Sequence, residues 1–581
     1  MKMREPILVI KLISLDFLIT LVSLLIISST ADDSADSSSR QTQSHTKPNI
    51  VFILADDLGW NDVGFHGSRQ VQTPHLDRLA GEGLILNNYY AQPMCTPSRA
   101  ALMTGRYPIR TGMQHKVVIN RQRMGLPLHL KLLPQHLNDL GYLSHAVGKW
   151  HLGHFHESFL PTSRGFESFY GLYNGKGDYF SHLDTELGMT GLDWHLDEGP
   201  NRTDLHSELG EYATRAFATR ADQLISEHDF ERQPMFLYMA LTAPHSALPH
   251  DPLQVPFQTE QQVTGTYHTQ RRKYLGMLKE MDDSIGRIVA SLKTKGVLDN
   301  TIIIFSSDNG GAPNGFQFGW GSNYPLRSSK GFFYEGGCRV AGFVWGTLFA
   351  RRAGQVATEM MHISDWLPTL YDFAGGNVEH LEDIDGFSMV DVLTCRNLTS
   401  PRTEFVLNFD PLENAKSMRV GKYKYLLNPE DFFVHNDLHD WYQAPGEYPG
   451  TNETMIPNTH PAQITCENMP QDIDLKCFSQ ISQRYECLFD IDKDPCEFHN
   501  LIDDEGYAEV KEKLLERIEY WEGKQVPPMR PPVEWDANPK FFDHTWNPWT
   551  NDPTIHPTEP YTCHPKHCPP DTKINTKKLE L

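Results

Sequence analysis

Three stretches of the chain are apolar at almost every position and stop abruptly on polar residues. Ile50 to Ala55 runs into Asp56-Asp57, and Met235 to Leu241 runs into Thr242-Ala243-Pro244-His245. Thr301-Ile302-Ile303-Ile304-Phe305 runs into Ser306-Ser307-Asp308-Asn309-Gly310-Gly311. Such runs predict strands buried on both faces, as in a parallel sheet covered by helices. Before the third, Leu278, Met281, Ile285, Ile288 and Leu292 recur at helical spacing and predict a helix over Tyr274 to Lys295. Helix followed by buried strand is the alternation of an α/β fold. Tyr142 to His151 predicts one more strand, on which Lys149 and His151, two apart, face the same side.

After His362 to Leu370, which reads as a short helix, the pattern changes. From about Pro401 the chain is rich in Asp, Pro, Tyr and Cys. Short strands are predicted at Tyr423–Leu427 and Glu486–Asp490, and an amphipathic helix over Gly506 to Trp521. The predicted organisation is a large α/β domain at 48–400, a smaller C-terminal α+β domain at 401–525 and a loop-rich, Pro- and Cys-containing tail at 526–581. There are no internal repeats. At the other end, Lys2 and Arg4 precede an apolar run from Phe17 to Ile27 that closes on Ser28-Ser29-Thr30-Ala31. That is the layout of a signal peptide, residues 1–31, followed by a Ser/Asp-rich linker at 32–47. The run is short for a bilayer span, and Lys11 and Asp16 interrupt its extension, so no stable membrane insertion is expected. The last residues, Lys578-Leu579-Glu580-Leu581, match an endoplasmic-reticulum retention signal only in part.

Charge and cysteine usage narrow the setting. A net charge of −22 argues against nucleic acid or an anionic membrane surface as partner. Any anionic substrate then needs a local cationic pocket. The 27 histidines outnumber that charge, so an acidic compartment would remove the excess, which points toward a lysosomal or secreted protein. Of nine cysteines, six fall after residue 460, and with Cys95 set aside an even eight remain. In a secreted chain these read as disulfides, Cys338 and Cys395 included, with pairing left open. Asn201, Asn397 and Asn452 stand in Asn-x-Thr glycosylation sequences.

The candidate chemistry sits at the strand ends. Asp56, Asp57, Asp308 and Asn309 are oxygen donors, a set suited to a hard cation such as calcium or magnesium. Lys149 and His151 pair a cation with a titratable donor, and His245 stands at a strand's end, where a site residue is expected. Lys330 lies in a stretch whose glycines suggest close packing near a pocket, and by itself reads as a surface lysine. Between two prolines lies Cys95-Thr96-Pro97-Ser98-Arg99; the chain there is expected to stay extended until Pro97, with a helix over Ser98 to Met103 whose N-terminus favours an anion.

Cys95-x-Pro-x-Arg99, closed by Thr104-Gly105-Arg106, resembles the sulfatase signature. Ala55 to Trp60, Gly148-Lys149-Trp150-His151-Leu152-Gly153, Ser307 to Gly311 and Leu488 to Asp492 extend the resemblance over about Pro48 to Tyr520, within the arylsulfatase B-like (N-acetylgalactosamine-4-sulfatase-like) group. The resemblance implies an alkaline-phosphatase-like fold: a large mixed sheet flanked by helices plus a small C-terminal sheet domain. It implies oxidation of Cys95 to formylglycine by the formylglycine-generating enzyme during secretion. It also implies one calcium ion held by Asp56, Asp57, Asp308, Asn309 and the modified Cys95. The hydrated formylglycine would attack sulfur, assisted by Arg99, and its second hydroxyl would eject sulfate. Lys149, His245 and Lys330 would neutralise the sulfuryl oxygens, His245 or Lys330 would protonate the leaving oxygen, and His151 would orient the formylglycine.

The expected activity is calcium-dependent hydrolysis of sulfate esters on glycans of the N-acetylgalactosamine 4-sulfate type. Alternatives are a broad arylsulfatase acting on small sulfated metabolites, and a phosphodiester or phosphonate hydrolase of the same superfamily. A lectin-like binder without catalysis has no need of a modifiable cysteine.

Overall fold

The computed structural model describes residues 47–429, 440–446, 462–466, 470, 473 and 477–555. Its central strand, β1 (Asn49–Ala55), sends Ile50, Phe52 and Leu54 into one core and Val51, Ile53 and Ala55 into another. Both faces are buried, which is why the run lacks polar alternation. Nine further strands complete its sheet: β2 (Leu84–Leu86), β3 (Leu143–Lys149), β4 (Ser168–Leu172), β5 (His195–Glu198), β6 (Asn201–Asp204), β7 (Met235–Ala240), β8 (Thr301–Ser307), β9 (Gly342–Trp345) and β10 (Gln355–Ala357). The order is β10-β2-β9-β8-β1-β7-β3-β4-β5-β6. The five central strands β8, β1, β7, β3 and β4 are mutually parallel, and antiparallel pairings appear only outside them. Their carboxyl ends therefore share one edge, where an open α/β sheet gathers ligands.

Helix α1 (Cys95–Thr104) packs on one face through Ala100 to Met103. On the other lie α2 (Ala213–Glu227) and α3 (Thr269–Thr294), burying Phe217, Ile225, Leu278, Met281 and Ile285. Helix α3 starts five residues before its predicted start, capped by the His268 ring, which accepts the Arg271 N–H at 3.3 Å. Helix α1 starts at Cys95 and not after Pro97. The extended Met94 is its N-cap, so Pro97 occupies the first turn, where a missing N–H leaves nothing unsatisfied.

The smaller sheet is antiparallel in chain order: β11 (Glu404–Asp410), β12 (Ala415–Val420), β13 (Tyr423–Leu427) and β14 (Glu486–Asp490). Helix α4 (Ala508–Glu522) covers it with Leu514, Ile518 and Trp521 against Phe405, Met418 and Leu488. Lys424 of β13, wholly buried, ties this sheet to the Glu335–Cys338 helical turn of the large domain by pairing with Glu335 at 3.0 Å, and it also pairs with Glu497 at 2.9 Å.

Two disulfides, Cys466–Cys496 and Cys477–Cys487, lie where the cysteine density predicts them. Cys338 and Cys395, expected to be bridged, are free thiols instead. Cys338 is buried among Tyr90, Tyr107 and Phe405 and donates to the Phe332 carbonyl, so it serves as a small core residue. Cys395 follows the 390–393 helical turn in a left-handed conformation (φ 61°), with no other cysteine bonded to it. Cys563, Cys568, Asn452, the predicted signal peptide and linker, and the Lys578–Leu581 end lie outside the described residues. Asn201 and Asn397 are exposed. Among the described residues no helix is long and apolar enough to cross a membrane.

The described part of the expected tail, 526–555, is a strap pinned along the large domain. Val533 bridges to Gln122 and Thr545 to Leu192, and the Glu534 N–H donates to the Arg121 carbonyl at 2.7 Å. Trp546, 1% exposed, anchors it and donates from Nε1 to the Asp184 carbonyl at 3.2 Å. Trp546→Ala should therefore cost about 3–5 kcal/mol in denaturant unfolding. An unchanged unfolding midpoint would mean the strap adds nothing to the fold.

Candidate active site

Each candidate residue stands at the shared edge of the sheet or on a loop folded over it. Asp56 and Asp57 follow β1, Asp308 and Asn309 follow β8, Lys149 ends β3, and His245 lies five residues beyond β7. Cys95 opens α1, with Arg99 one turn on. Lys330 arrives on a loop held by its own N–H to the Gly311 carbonyl (3.1 Å) and the Gly331 N–H to the Pro93 carbonyl (2.7 Å). Close backbone approach explains two glycines. A Cβ on Gly310 would lie 1.8 Å from the Gly336 carbonyl oxygen, and one on Gly148 would lie 1.9 Å from that of Ala240.

The charges pair one to one. Lys149 Nζ donates to Asp56 Oδ2 at 2.6 Å, and Lys330 Nζ meets the Asp57 carboxylate at 2.8 Å. Arg99 donates from Nε and Nη2 to Asp308 Oδ2 at 3.1 and 2.9 Å, and from Nη1 to the Lys149 carbonyl at 3.0 Å. All six side chains are at most 6% exposed. Three carboxylates thus balance three cations in direct contact, shielded from bulk solvent.

These pairings set the protonation states. Burial pushes the Asp57 carboxyl up, but Lys330 and His245 more than reverse it and leave it below its ordinary range. Asp308 ends above its ordinary range, through burial first and the Asp56 charge second. Lys330 is held above the usual lysine range despite burial, by Asp57 above all. His245 is pushed down to about 3 by burial and the neighbouring lysines, against the pull of Asp57. Its Nδ1 lies 2.6 Å from the Ser246 carbonyl, which can only accept, so Nδ1 carries the proton. Nε2 is then an acceptor facing Lys330 Nζ at 3.3 Å. Burial likewise holds the Cys95 thiol up, so that it is a poor thiolate.

His151 departs from the expected strand geometry. β3 ends at Lys149, and His151 adopts a left-handed conformation (φ 58°) with its N–H on the Tyr173 carbonyl at 2.9 Å. Lys149 and His151 therefore do not share a strand face. The His151 ring donates from Nε2 to the Val118 carbonyl at 3.0 Å, leaving Nδ1 buried without a hydrogen-bond partner.

The residues fit a divalent cation. Asp56 Oδ1 and Asn309 Oδ1 are buried acceptors with no donor, a costly arrangement unless something positive meets them. Asp56, Asp308 and Cys95 each offer an atom within 4.8 Å of the others, and Asp56, Asp57 and His245 form a second such group. Oxygen donors dominate, which favours a hard ion.

Sequence reasoning missed the wall beside His151. A Cβ on Gly175 would lie 2.6 Å from that ring, so the 173–175 loop packs directly on it. Asp193 accepts the Tyr173 and Asn174 N–H groups at 2.9 Å each. The signal was present: Asp193, His195 and Asp197 alternate, as charged residues on one face of a strand do.

A family profile described as Sulfatase matches residues 48–376, a span holding every candidate catalytic and metal residue. The chain is 36% identical over 509 residues to mouse (Mus musculus) arylsulfatase J, covering 87% of this chain and 81% of that one. It is 34% identical over 392 residues to pig (Sus scrofa) N-acetylgalactosamine-6-sulfatase, covering 65% and 71%. Among solved structures, Ps i-CgsB in complex with k-i-k-neocarrahexaose superposes with a TM-score of 0.65 at 26% identity, covering 83% of this chain and 94% of the other.

Proposed function

The chain belongs to the sulfatase family, whose members hydrolyse sulfate esters, and from that premise we propose a calcium-dependent enzyme that uses formylglycine at position 95 and acts on sulfated carbohydrate. The charge balance of the site carries this reading. Three buried carboxylates already match three buried cations, so a divalent ion on the orphaned Asp56 and Asn309 oxygens leaves about two positive charges. A protein of net charge −22 thereby keeps one pocket attractive to a sulfate.

In this proposal Asp56, Asp57, Asp308, Asn309 and residue 95 hold the calcium, which when bound supplies Lewis-acid polarisation of oxygen. Formylglycine supplies a carbon able to carry two oxygens, one to attack sulfur and one to release sulfate. Arg99 fixes Asp308 and the start of α1. Lys149 and Lys330 face the sulfuryl oxygens. Lys330 holds its proton at rest and would give it to the leaving oxygen, oriented by His245 Nε2, which accepts from it. His151 Nδ1 is the acceptor free to orient residue 95. Residues 48–400 would form the catalytic domain, 401–525 the small domain and 526–581 the tail. The protein would enter the secretory pathway, meet the formylglycine-generating enzyme, carry glycans at Asn201, Asn397 and Asn452, and end in lysosomes or outside the cell.

Two measurements test this. Peptide mass at Cys95, after expression in secreting cells, should show the thiol replaced by an aldehyde. Sulfate release should follow from a panel of 4- and 6-sulfated N-acetylgalactosamine, a nitrophenyl sulfate and the matching phosphate. The resemblance expects 4-sulfate to lead. An unmodified thiol in an active enzyme, or preference for phosphate, would overturn the proposal.

A further inference from the structure

Away from the reaction centre, three elements meet at one buried imidazole. His195, first residue of β5 and 1% exposed, lies with Nε2 3.0 Å from Asp193 Oδ1 and Nδ1 2.9 Å from Asp204 Oδ1. Carboxylates only accept, so both nitrogens carry protons and the ring is an imidazolium between two anions. Burial opposes that charge, but the two carboxylates outweigh it and raise the group to about 9.

What the imidazolium holds is the wall of the active site. Asp193, clamped by His195, accepts the Tyr173 N–H on Oδ1 and the Asn174 N–H on Oδ2. The Tyr173 carbonyl in turn accepts the His151 N–H, and Gly175 abuts the His151 ring. The Tyr173 ring stacks on His195 at 3.9 Å, and its hydroxyl donates to Asp197 at 2.8 Å. On the far side Asp204 accepts from Asn547 of the strap at 2.9 Å. A left-handed residue such as His151 is not held by its own backbone preference, so its placement depends on these neighbours.

We propose that His195 is a positioning residue for the sulfatase site: by bridging Asp193 and Asp204 it fixes the 173–175 loop and, through it, His151. This rests on the proposed function, in which His151 orients residue 95.

The test is His195→Gln, which cannot donate to both carboxylates in the same geometry. Per folded molecule, kcat should fall roughly a hundredfold while KM moves less than about threefold, because geometry and not binding is lost. Hydrogen exchange at the Tyr173, Asn174 and His151 amides should quicken at least about tenfold, with exchange in β1 and β8 unchanged. Exchange is read without substrate, so it decides the positioning role even if the activity proves different. Wild-type kcat together with wild-type exchange would overturn the proposal. Should the glutamine variant fail to fold, Asp204→Asn removes one of the two holding charges while keeping an oxygen acceptor. Both readouts must then shift in the same direction, and wild-type values in both would equally overturn it.

Discussion

Cys95→Ser is expected to give a folded protein that releases sulfate at least about a thousandfold more slowly than wild type and retains a covalent sulfate ester on the introduced hydroxyl. The fold should survive because the thiol makes no disulfide and sits at the first position of α1, where a hydroxyl of nearly the same size is accommodated. The serine oxygen can attack sulfur and expel the alcohol, since Lys149, Lys330 and Arg99 still surround the site. It then has no second oxygen on that carbon with which to expel sulfate, so the reaction stops at the ester. A structural cysteine predicts a different outcome: the exchange would be a mild packing change, turnover would stay near wild type and no adduct would form. Mass spectrometry after incubation with a nitrophenyl sulfate distinguishes the two. A serine variant with normal turnover ends the formylglycine reading.

The sheet's centre was legible because burial on both faces writes itself as an unbroken apolar run. β1, β7 and β8 all carry one, and their polar successors, Asp56, Asp57, Asp308 and Asn309, stand where the sheet places its site. The edges were not. Strands such as β2 and β10 are three residues long, and β6 is exposed along most of its length, so neither period nor composition marks them. β11 and β12 escaped for a related reason: their polar residues Asn408, Asp410 and Arg419 are buried and bonded to the long-range partners Gln114, His115 and Tyr90, which no local pattern reveals.

Lys330 shows the same limit within the site. Nothing local separates it from a surface lysine; only the ion pair with Asp57, 273 positions away in sequence, does so. The expectation for Cys338 failed because even cysteine counting treats each thiol as a potential bridge, whereas a thiol packed among aromatic rings needs no partner. His151 lies beyond a strand that ends two residues before it. Its turn into the left-handed region follows from the Tyr173 and Val118 carbonyls, which are tertiary contacts.

If the proposed divalent ion sits on the carboxylate cluster, its removal should cost turnover heavily but leave the fold intact. Three carboxylates close together suggest at first a cluster that would fly apart without its ion. The pairings argue otherwise: Asp56 keeps Lys149, Asp57 keeps Lys330 and Asp308 keeps Arg99, all at 2.6 to 2.9 Å. The unfavourable groups without the ion are the two orphaned oxygens, Asp56 Oδ1 and Asn309 Oδ1, and the Asp308 carboxyl, which burial and the Asp56 charge hold above its ordinary range. Ion binding contributes stability by mass action, about 3 kcal/mol at a hundredfold excess over Kd, which in a chain this large is a shift of only a few degrees in Tm. Activity should suffer far more, by at least about a hundredfold, because the pocket loses its excess positive charge and sulfate meets a neutral cluster. The acid side has a definite sign. Asp308, held above its ordinary range, takes up a proton as pH falls, and a protonated ligand binds the ion poorly, so the stabilisation by an added divalent ion should shrink toward acid pH. The experiment is a chelated sample verified metal-free, assayed for sulfate release and melted with and without added calcium or magnesium at several pH values. Full activity without metal would remove the ion from the reaction. Unfolding on chelation would show that Lys149, Lys330 and Arg99 do not compensate the carboxylates as their geometry implies.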